Sequence, residues 1–388
     1  MVTLDRVPQI TQGAGALEGV GTLVRSLRAA AGAEAAPRHA LLIADPGLKS
    51  SGLIATAERA LRAATLAVTV FDAVESDPSM SQADATADLA RRERADVVVA
   101  LGGGSAMDLG KSVAAIAGAA DSASHYGLCA HPFPAARLAC VCIPTTSGTG
   151  SEATRTAVLS DTAHAKVWLW GEALKADAIL LDPAVTVGLP PHLTAATGID
   201  ALVHAIEAST NRNANPANDV YCHAAIGLVV RHLPQAVSQP SDLSARAGLQ
   251  WAATFAGIGI DNCGTAIAHN IGHALASLRP IHHGRAVGVA MRATLAWSVA
   301  DGDPVYAAAA AAMGERAEAQ LLPAAFERLL REVGVKVSLA GEGYDQIDAA
   351  QLARQMALPA NEPMRRSNRR DVRDQDLLEF AAAVLEAA

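Results

Sequence analysis

Short apolar runs alternate with helical stretches through the first half of the chain, and this alternation constrains the fold more than any other feature. The runs are rich in β-branched residues, are bounded by Gly, Pro or Asp, and comprise residues 39–45, 66–74, 95–104, 137–146 and 177–183. Helical patterns lie between them, for example at 81–94 and 105–120. Continuous apolar strands that alternate with helices predict a parallel sheet covered on both faces.

The pattern changes near 189–191, after which strand signals become rare. The stretches at 192–210, 219–233, 242–260, 286–300 and 304–334 all have helical length and period. A chain of 388 residues is long for a single core, so two domains are expected. The sequence predicts an α/β domain over 1–189, followed by an all-helical domain over 190–388.

Composition excludes several classes of function. With 51% hydrophobic and 18% charged residues, the chain is typical of a globular protein. The net charge of −8 and the lack of a basic stripe argue against nucleic acid and against anionic membranes as partners. No charge-free apolar run approaches ~20 residues, and no signal-peptide pattern is present. Five cysteines without CxxC spacing predict free thiols and a cytoplasmic protein, with Cys140 and Cys142 on one face of a strand.

Two loops rich in small residues follow predicted strands. Three glycines, Gly102–Gly104, precede Ser105 and a helix, so backbone N–H groups could approach a phosphate; an ordinary strand-to-helix turn is the alternative. The loop matches neither GxGxxG nor a P-loop. The second loop, "PTTSGTGSEAT" at 144–154, offers hydroxyl and backbone donors to a sugar or pyrophosphate.

An acidic residue ends the first predicted strand. Asp45 could accept hydrogen bonds from the ribose hydroxyls of an adenosine, and its charge would repel a 2′-phosphate, which favours NAD over NADP. The alternative is that Asp45 forms the turn before Pro46–Gly47.

Histidines and one aspartate are concentrated in apolar helical segments. Asp200 and His204 are four residues apart, as are His269 and His273, so each pair shares a helix face. His282 and His283 follow in a predicted loop. Asp200 and His204 could simply bond to each other, but a carboxylate and several imidazoles also suit Fe²⁺ or Zn²⁺ with an open position for substrate. Mg²⁺ would prefer more oxygen ligands.

Five motifs occur in the order of a known family: "LGGGSAMDLGK", "PTTSGTGSEAT", "LLDPAVTVGLP", "TGIDALVHAIEA" and the histidine-rich stretch ending in "HHG". Through them the chain resembles the iron-containing (group III) alcohol dehydrogenases over nearly its whole length. The resemblance implies a dinucleotide-binding α/β domain followed by an all-helical metal-binding domain, the architecture shared with dehydroquinate synthase. It also implies a homodimer or a higher homo-oligomer.

The resemblance assigns roles to single residues. It implies metal ligation by Asp200, His204, His269 and His283, with His273 as a non-ligating histidine that moves protons near the nicotinamide and substrate. It implies cofactor contacts for two sets, the phosphate-side residues Gly103, Gly104, Ser105 and Asp108, and the residues Thr145, Thr146, Asp45 and Lys166, of which the last two are on the ribose side. His282 stands where the family usually has proline, and Asp77 where asparagine is common. No role follows for His282.

The predicted reaction is reversible hydride transfer between a small primary alcohol and NAD⁺. Arg279 could pair with the distal carboxylate of an ω-hydroxy acid such as 4-hydroxybutyrate, or it could be a surface arginine. The alternatives of the same architecture are a glycerol-type polyol dehydrogenase, a metal-free maleylacetate reductase and a dehydroquinate-synthase-like lyase. A non-catalytic nucleotide or metal sensor would not explain His273.

Overall fold

The computed structural model describes residues 3–27, 37–162 and 165–386. The chain forms two compact units. One, called here the α/β unit, comprises Arg6–Thr146 and Ser151–Leu189; the other, the helical unit, comprises Met1–Asp5, Ser147–Gly150 and Pro190–Ala388. The short segment Ser147–Gly150 belongs to the helical unit because it packs on its first helix: a Cβ added to Gly148 would lie 2.7 Å from the Cβ of Thr197. The sequence did not indicate these two short segments.

The α/β unit is built on a parallel sheet, as predicted. Its six strands are β1 (Gln9–Gln12), β2 (His39–Ala44), β3 (Ala67–Phe71), β4 (Val97–Gly102), β5 (Ala139–Pro144) and β8 (Ala178–Leu181), in the order β1-β8-β5-β4-β2-β3. All neighbouring pairs are parallel. The strands β6 (Thr156–Ser160) and β7 (Lys166–Trp170) form a separate antiparallel pair. The sequence analysis missed β1, which is only four residues long, and this hairpin.

Both faces of the sheet are covered. The helices of this unit are α1 (Val20–Ser26), α2 (Leu53–Ala63), α3 (Met80–Glu93) and α4 (Gly104–Ile116). Alternate residues of the central strands enter two different apolar clusters, one with α3 and α4 and the other with α1 and α2. Cys140 and Cys142 both lie in the first cluster, which confirms that they share a face, and both are free thiols. The apolar runs of the sequence are therefore strands buried on both sides.

The strand order reverses direction between β2 and β4. From β2 the chain continues to β3 on one side, and it then crosses to β4, β5 and β8 on the other. In open sheets of this kind, ligands bind outside the carboxyl ends of the strands at the point of reversal. Asp45 directly follows β2, and Gly103 directly follows β4.

The helical unit has no strand among its described residues. Its helices are α5 (Pro191–Thr210), α6 (Pro216–Ser238), α7 (Leu243–Cys263), α8 (Ile267–Leu278), α9 (His283–Ser298), α10 (Pro304–Ala312), α11 (Leu322–Glu332), α12 (Ala349–Met356), α13 (Glu362–Ser367) and α14 (Asp374–Glu386). The predicted helical stretch at 304–334 is two helices, because Gly314 adopts φ +89° and interrupts the chain between them. Helix α5 is buried along its whole length from Thr194 onward. Within the described residues, no helix is both long and apolar enough to cross a bilayer.

Candidate metal centre

Two of the predicted ligands lie on the buried helix α5. Asp200 and His204 are one turn apart, and Oδ1 of Asp200 is 3.8 Å from Nε2 of His204. Both side chains are almost completely buried. They point toward the same place because residues four apart on a helix share a face.

Helices α8 and α9 bring two further imidazoles to the same aspartate. Oδ1 of Asp200 lies 3.8 Å from Nε2 of His269 and 3.6 Å from Nε2 of His283. The sequence predicted that His283 lies in a loop, but His283 is the first residue of α9. The next residue must be a glycine, since a Cβ at Gly284 would lie 2.2 Å from the carbonyl oxygen of Ala196 on α5. This close approach seats the start of α9 against α5.

The four side chains form one cluster of donor atoms. One nitrogen or oxygen from each of Asp200, His204, His269 and His283 can be chosen so that all lie within 4.8 Å of one another. Oδ1 of Asp200 and Nε2 of His269 are buried and have no hydrogen-bond partner among the described residues. Buried polar atoms are otherwise nearly always paired, so these two atoms require a partner. Three nitrogens and one carboxylate oxygen fit a divalent first-row ion.

The pKa shifts of Asp200 and His204 agree with this fit. Burial raises the pKa of Asp200, but the three imidazoles outweigh it and hold that pKa well below its usual range. Burial lowers the pKa of His204 to about 4, which keeps its imidazole neutral at physiological pH, as a metal ligand must be. Burial also lowers the pKa of His269, but the carboxylates of Glu207 and Asp200 have the larger, opposite effect and raise this pKa to about 9. A cation at the site would compete with that proton.

His273 lies beside the cluster but outside it. It is one turn after His269 on α8, and its ring centre is 6.4 Å from that of His269 and 5.5 Å from that of His283. Unlike His269, it is partly exposed. An imidazole in this position can exchange protons with solvent while remaining close to the metal ligands.

The predicted nucleotide residues gather at the strand ends of the α/β unit. A Cβ on Gly102 would lie 3.1 Å from the Cβ of Asp45, so the ends of β2 and β4 are in close contact. The backbone N–H of Thr145 donates to the carbonyl of Gly102 over 2.9 Å, and a Cβ on Gly103 would lie 3.5 Å from the Thr146 side chain. Asp45 also accepts from the N–H of Gly47 over 2.8 Å, so it forms the local turn as well.

The glycine loop ends at a helix N-terminus with no side-chain cap. Gly103 is the N-cap residue of α4, whose first residues are Gly104 and Ser105. Uncapped N–H groups at the start of a helix favour an anion. This geometry is compatible with the phosphate contact predicted for Gly103, Gly104 and Ser105.

The side chains of Asp108, Ser105 and Lys166, all predicted cofactor residues, are engaged with neighbouring protein segments. Asp108 accepts from Oγ of Ser151 over 2.5 Å and from the N–H of Val158 over 2.9 Å. Oγ of Ser105 donates to the carbonyl of Ser76. Lys166, on β7, pairs with Asp77. Their contact with a cofactor remains a prediction.

Two buried charged residues beside the predicted sites, Lys111 and Glu207, were not predicted from the sequence. Lys111 on α4 is fully buried and donates to the carbonyl of Ser151 over 2.8 Å and to Oγ1 of Thr154 over 3.2 Å, which fastens the second loop to the helix. Glu207 on α5 is also buried and contacts His269. A charged residue inside an apolar helical stretch was the available signal in both cases.

Comparison with family models covers nearly the whole chain. The iron-containing alcohol dehydrogenase model matches residues 8–183, and the model of the C-terminal part of the Fe-containing alcohol dehydrogenase family matches residues 194–385. The chain belongs to the iron-containing alcohol dehydrogenase family. It is therefore a metal-dependent, NAD-linked oxidoreductase that acts on alcohols or aldehydes.

The relatives of this iron-containing alcohol dehydrogenase differ in substrate. It is 31% identical to an NAD-dependent methanol dehydrogenase of Bacillus methanolicus, over 89% of this chain and 91% of that protein. It is also 31% identical to a sulfoacetaldehyde reductase of Bilophila wadsworthia, over 98% of this chain and 97% of that protein. A solved 1,3-propanediol oxidoreductase superposes with a TM-score of 0.89 at 30% identity, and the match covers 100% of both chains.

Proposed function

We propose that the protein catalyses reversible hydride transfer between a small primary alcohol and NAD⁺, with Fe²⁺ or Zn²⁺ held by Asp200, His204, His269 and His283. The carrying observation is the convergence of these four side chains, whose donor atoms lie within 4.8 Å of one another. Two of these atoms have no hydrogen-bond partner in the part of the chain that the structure describes. When bound, the ion supplies Lewis acidity to the alcohol or carbonyl oxygen of the substrate.

The protein's own residues set the charge of the site. One carboxylate and three neutral imidazoles leave a divalent ion with a net positive charge of one, which favours an oxygen that becomes negative during the reaction. Burial of Asp200 and His204 excludes water from one side of the cluster. Exclusion of water strengthens this interaction, since screening is weaker in a dry site.

His273 is proposed to move the substrate proton. Oxidation of an alcohol releases a proton from oxygen and a hydride from carbon. The partly exposed imidazole, 5.5 Å from the ring of His283, can accept the proton and pass it to solvent. The cofactor receives the hydride.

The nucleotide is proposed to bind at the carboxyl ends of β2, β4 and β5. The phosphates would meet the uncapped start of α4 at Gly103–Ser105, and Thr145 and Thr146 would contact the nucleotide. The Asp45 carboxylate would accept from the ribose hydroxyls, and its charge makes NADP the weaker cofactor. Asp108 and Lys166 are proposed to complete this region.

The identity of the substrate is a further part of this proposal. A primary alcohol is favoured, and an ω-hydroxy acid such as 4-hydroxybutyrate is a candidate if Arg279 binds its carboxylate. Arg279 is partly buried, donates to the carbonyl of Leu278 over 2.8 Å and lies against Gly343. Measuring kcat/KM for succinic semialdehyde and butanal in wild type and Arg279→Ala tests this. A loss confined to succinic semialdehyde supports a carboxylate-binding arginine, and equal losses contradict it.

The activity is tested by following reduced cofactor with anaerobically iron-loaded or zinc-loaded enzyme. A panel of primary alcohols, glycerol and maleylacetate separates an alcohol dehydrogenase from a polyol dehydrogenase and a maleylacetate reductase. Turnover of a primary alcohol is expected, while turnover of maleylacetate without metal would support the reductase. Metal and NAD⁺ binding without any turnover would support a sensor.

The proposal also covers the domain organisation, the cellular location and the oligomeric state of the protein. The segments 1–189 and 190–388 are proposed as the nucleotide-binding and metal-binding domains. The enzyme is proposed to work in the cytoplasm, in keeping with its five free cysteines, and as a homodimer or higher oligomer. Sedimentation velocity of the purified protein tests the oligomer.

A further inference from the structure

Glu207 is a buried acid that the proposed reaction does not use. It lies on α5 after Asp200 and His204, at a spacing of four and then three residues, so all three share one helix face. Its exposed fraction is 3%. Burial of a carboxylate is costly unless its oxygens accept hydrogen bonds, so the hydrogen-bond partners of Glu207 indicate its role.

Three N–H groups converge on this carboxylate. Oε2 lies 2.6 Å from Nδ1 of His269 and accepts from the N–H of Ala266 over 2.8 Å. Oε1 accepts from the N–H of Ala268 over 2.7 Å. An ionised carboxylate only accepts hydrogen bonds, so Nδ1 of His269 must carry the hydrogen. When the ring is neutral, as a metal ligand must be, the other ring nitrogen, Nε2, presents its lone pair to the ligand cluster.

The backbone contacts place Glu207 at the start of α8. This helix begins at Ile267, its N-cap residue is Ala266, and Ala266 provides no side-chain cap. The first N–H groups of a helix need acceptors, and a negative charge there is favourable. Glu207 supplies both from a neighbouring helix. One carboxylate therefore fixes where α8 starts and how the imidazole in its first turn is oriented.

We propose that Glu207 is a positioning residue that sets the tautomer and orientation of His269 for metal binding while capping α8. The proposal rests on the metal site of the proposed function. Carboxylates behind metal-binding histidines typically change metal affinity by 10–100-fold when they are replaced.

The informative substitution is Glu207→Gln, which keeps size and shape. A glutamine amide has one acceptor oxygen and one donor nitrogen, so it cannot accept from all three N–H groups. If its nitrogen faces His269, Nδ1 becomes the acceptor and the hydrogen moves to Nε2, which then cannot bind a metal. If its oxygen faces His269, an N–H of the helix start loses its partner.

The experiment measures Zn²⁺ affinity by competition with a chromophoric chelator, using the full-length protein. A matched control is Asp242→Asn, because Asp242 caps another helix, α7, by accepting from the N–H groups of Ser244 and Ala245, and it is not one of the four clustered residues. Glu207→Gln is expected to weaken Zn²⁺ binding by ~10–100-fold. The control is expected to bind Zn²⁺ like wild type, since asparagine caps a helix about as well as aspartate, and thermal melts of both variants show whether a loss of affinity merely follows a loss of stability.

A second readout reports on ligand geometry. The visible spectrum of the Co²⁺-substituted protein responds to the ligand field, so it is expected to change in Glu207→Gln and to stay unchanged in Asp242→Asn. Glu207→Asp keeps an acceptor-only group with a shorter reach, and it is expected to bind Zn²⁺ more tightly than Glu207→Gln. If Glu207→Gln does not fold, Glu207→Asp is compared with wild type, and weaker Zn²⁺ binding is expected.

Several results would overturn the proposal: wild-type Zn²⁺ affinity in folded Glu207→Gln, an equal loss in Asp242→Asn, or wild-type affinity in Glu207→Asp where Glu207→Gln is unfolded. Failure of the proposed function looks different. A wild-type protein that binds Zn²⁺ but oxidises no alcohol would contradict the activity while the affinity comparison still tests Glu207.

Discussion

Oδ1 of Asp200 lies 3.6 Å from Nε2 of His283, the first residue of α9, although Asp200 lies on another helix. This distance is too long for a hydrogen bond. A separation of 3.6 Å suits two atoms that bind the same metal ion, because the ligand atoms around one ion are farther apart than hydrogen-bonded atoms. The same carboxylate oxygen lies at 3.8 Å from His204 and from His269.

Replacement of Asp200 by asparagine tests whether the clustered side chains bind one metal ion. Asp200→Asn removes the only charged ligand of the cluster, so we expect loss of bound metal and of alcohol oxidation. Chelation should lower the melting temperature of the metal-loaded wild type, since a ligand at 100 times its Kd stabilises by ~2.7 kcal/mol. It should leave Asp200→Asn unchanged. Metal analysis and differential scanning calorimetry with and without chelator measure both effects, and an equal shift in the two proteins would refute the assignment.

His273→Gln tests the proton-transfer role. We expect metal content to stay the same and kcat to fall by ~10²-fold, because a positioned general base contributes about that factor or more. The pH profile of kcat should lose the limb that the imidazole supplies. His282→Gln is the matched control, since His282 adjoins the ligand His283 but has no assigned role. A wild-type pH profile in His273→Gln would exclude this residue as the proton carrier.

Asp45→Asn tests cofactor choice. Asparagine keeps an oxygen that can accept from the N–H of Gly47, so the turn is retained while the charge is lost. We expect the ratio of kcat/KM for NADP⁺ to that for NAD⁺ to rise about tenfold, equivalent to ~1.4 kcal/mol. Initial rates with both cofactors at fixed alcohol give this ratio. An unchanged ratio would mean that Asp45 does not face the 2′ position.

The ion-paired carboxylate of Glu342 predicts that the free energy of unfolding of the helical unit depends on pH. Glu342 accepts from Nη1 of Arg285 over 2.6 Å and from Nζ of Lys336 over 2.7 Å. The Arg285 hydrogen bond, with help from Lys336, lowers the pKa of Glu342 to about 2. The folded pKa is below the unfolded value of ~4.3, so the stabilisation is complete above that value and is lost as pH falls toward about 2.

Glu342→Gln should therefore lower the melting temperature at pH 7, and its difference from wild type should shrink as the pH falls from 5 to 3. Partly exposed pairs of this kind contribute ~1 kcal/mol or less. Glu318→Gln is the control, because the Arg316–Glu318 pair is more exposed and should contribute little at any pH. A difference that grows at low pH would contradict the assigned sign. Thermal melts across this pH range make the comparison.

The sheet was predictable because most of its strands are short, continuous apolar runs with helices between them. Burial on both faces leaves a continuous hydrophobic signal, as in β4 and β5. β1 could not be found this way, since its sequence QITQ has one apolar residue and is held by pairing with β8. Tertiary pairing overrides local propensity in such short strands.

The four clustered side chains were predictable in type but not in geometry. The spacing of Asp200 and His204 follows from helical period alone. The meeting of α5, α8 and α9 depends on packing between segments distant in sequence, and the resemblance to known dehydrogenases supplied it. Glu207 escaped notice because a single acid in an apolar helix has no sequence pattern that reveals a partner on another helix.

The most direct test of the account is X-ray absorption at the iron K-edge on anaerobically Fe²⁺-loaded wild type and on Asp200→Asn. For wild type, the account predicts one iron per chain, nitrogen and oxygen ligands at ~2.0–2.2 Å and the outer-shell scattering of three imidazoles. Asp200→Asn should hold little or no iron. Iron bound without imidazole scattering, or bound equally by both proteins, would contradict the claim that these four side chains hold one cation.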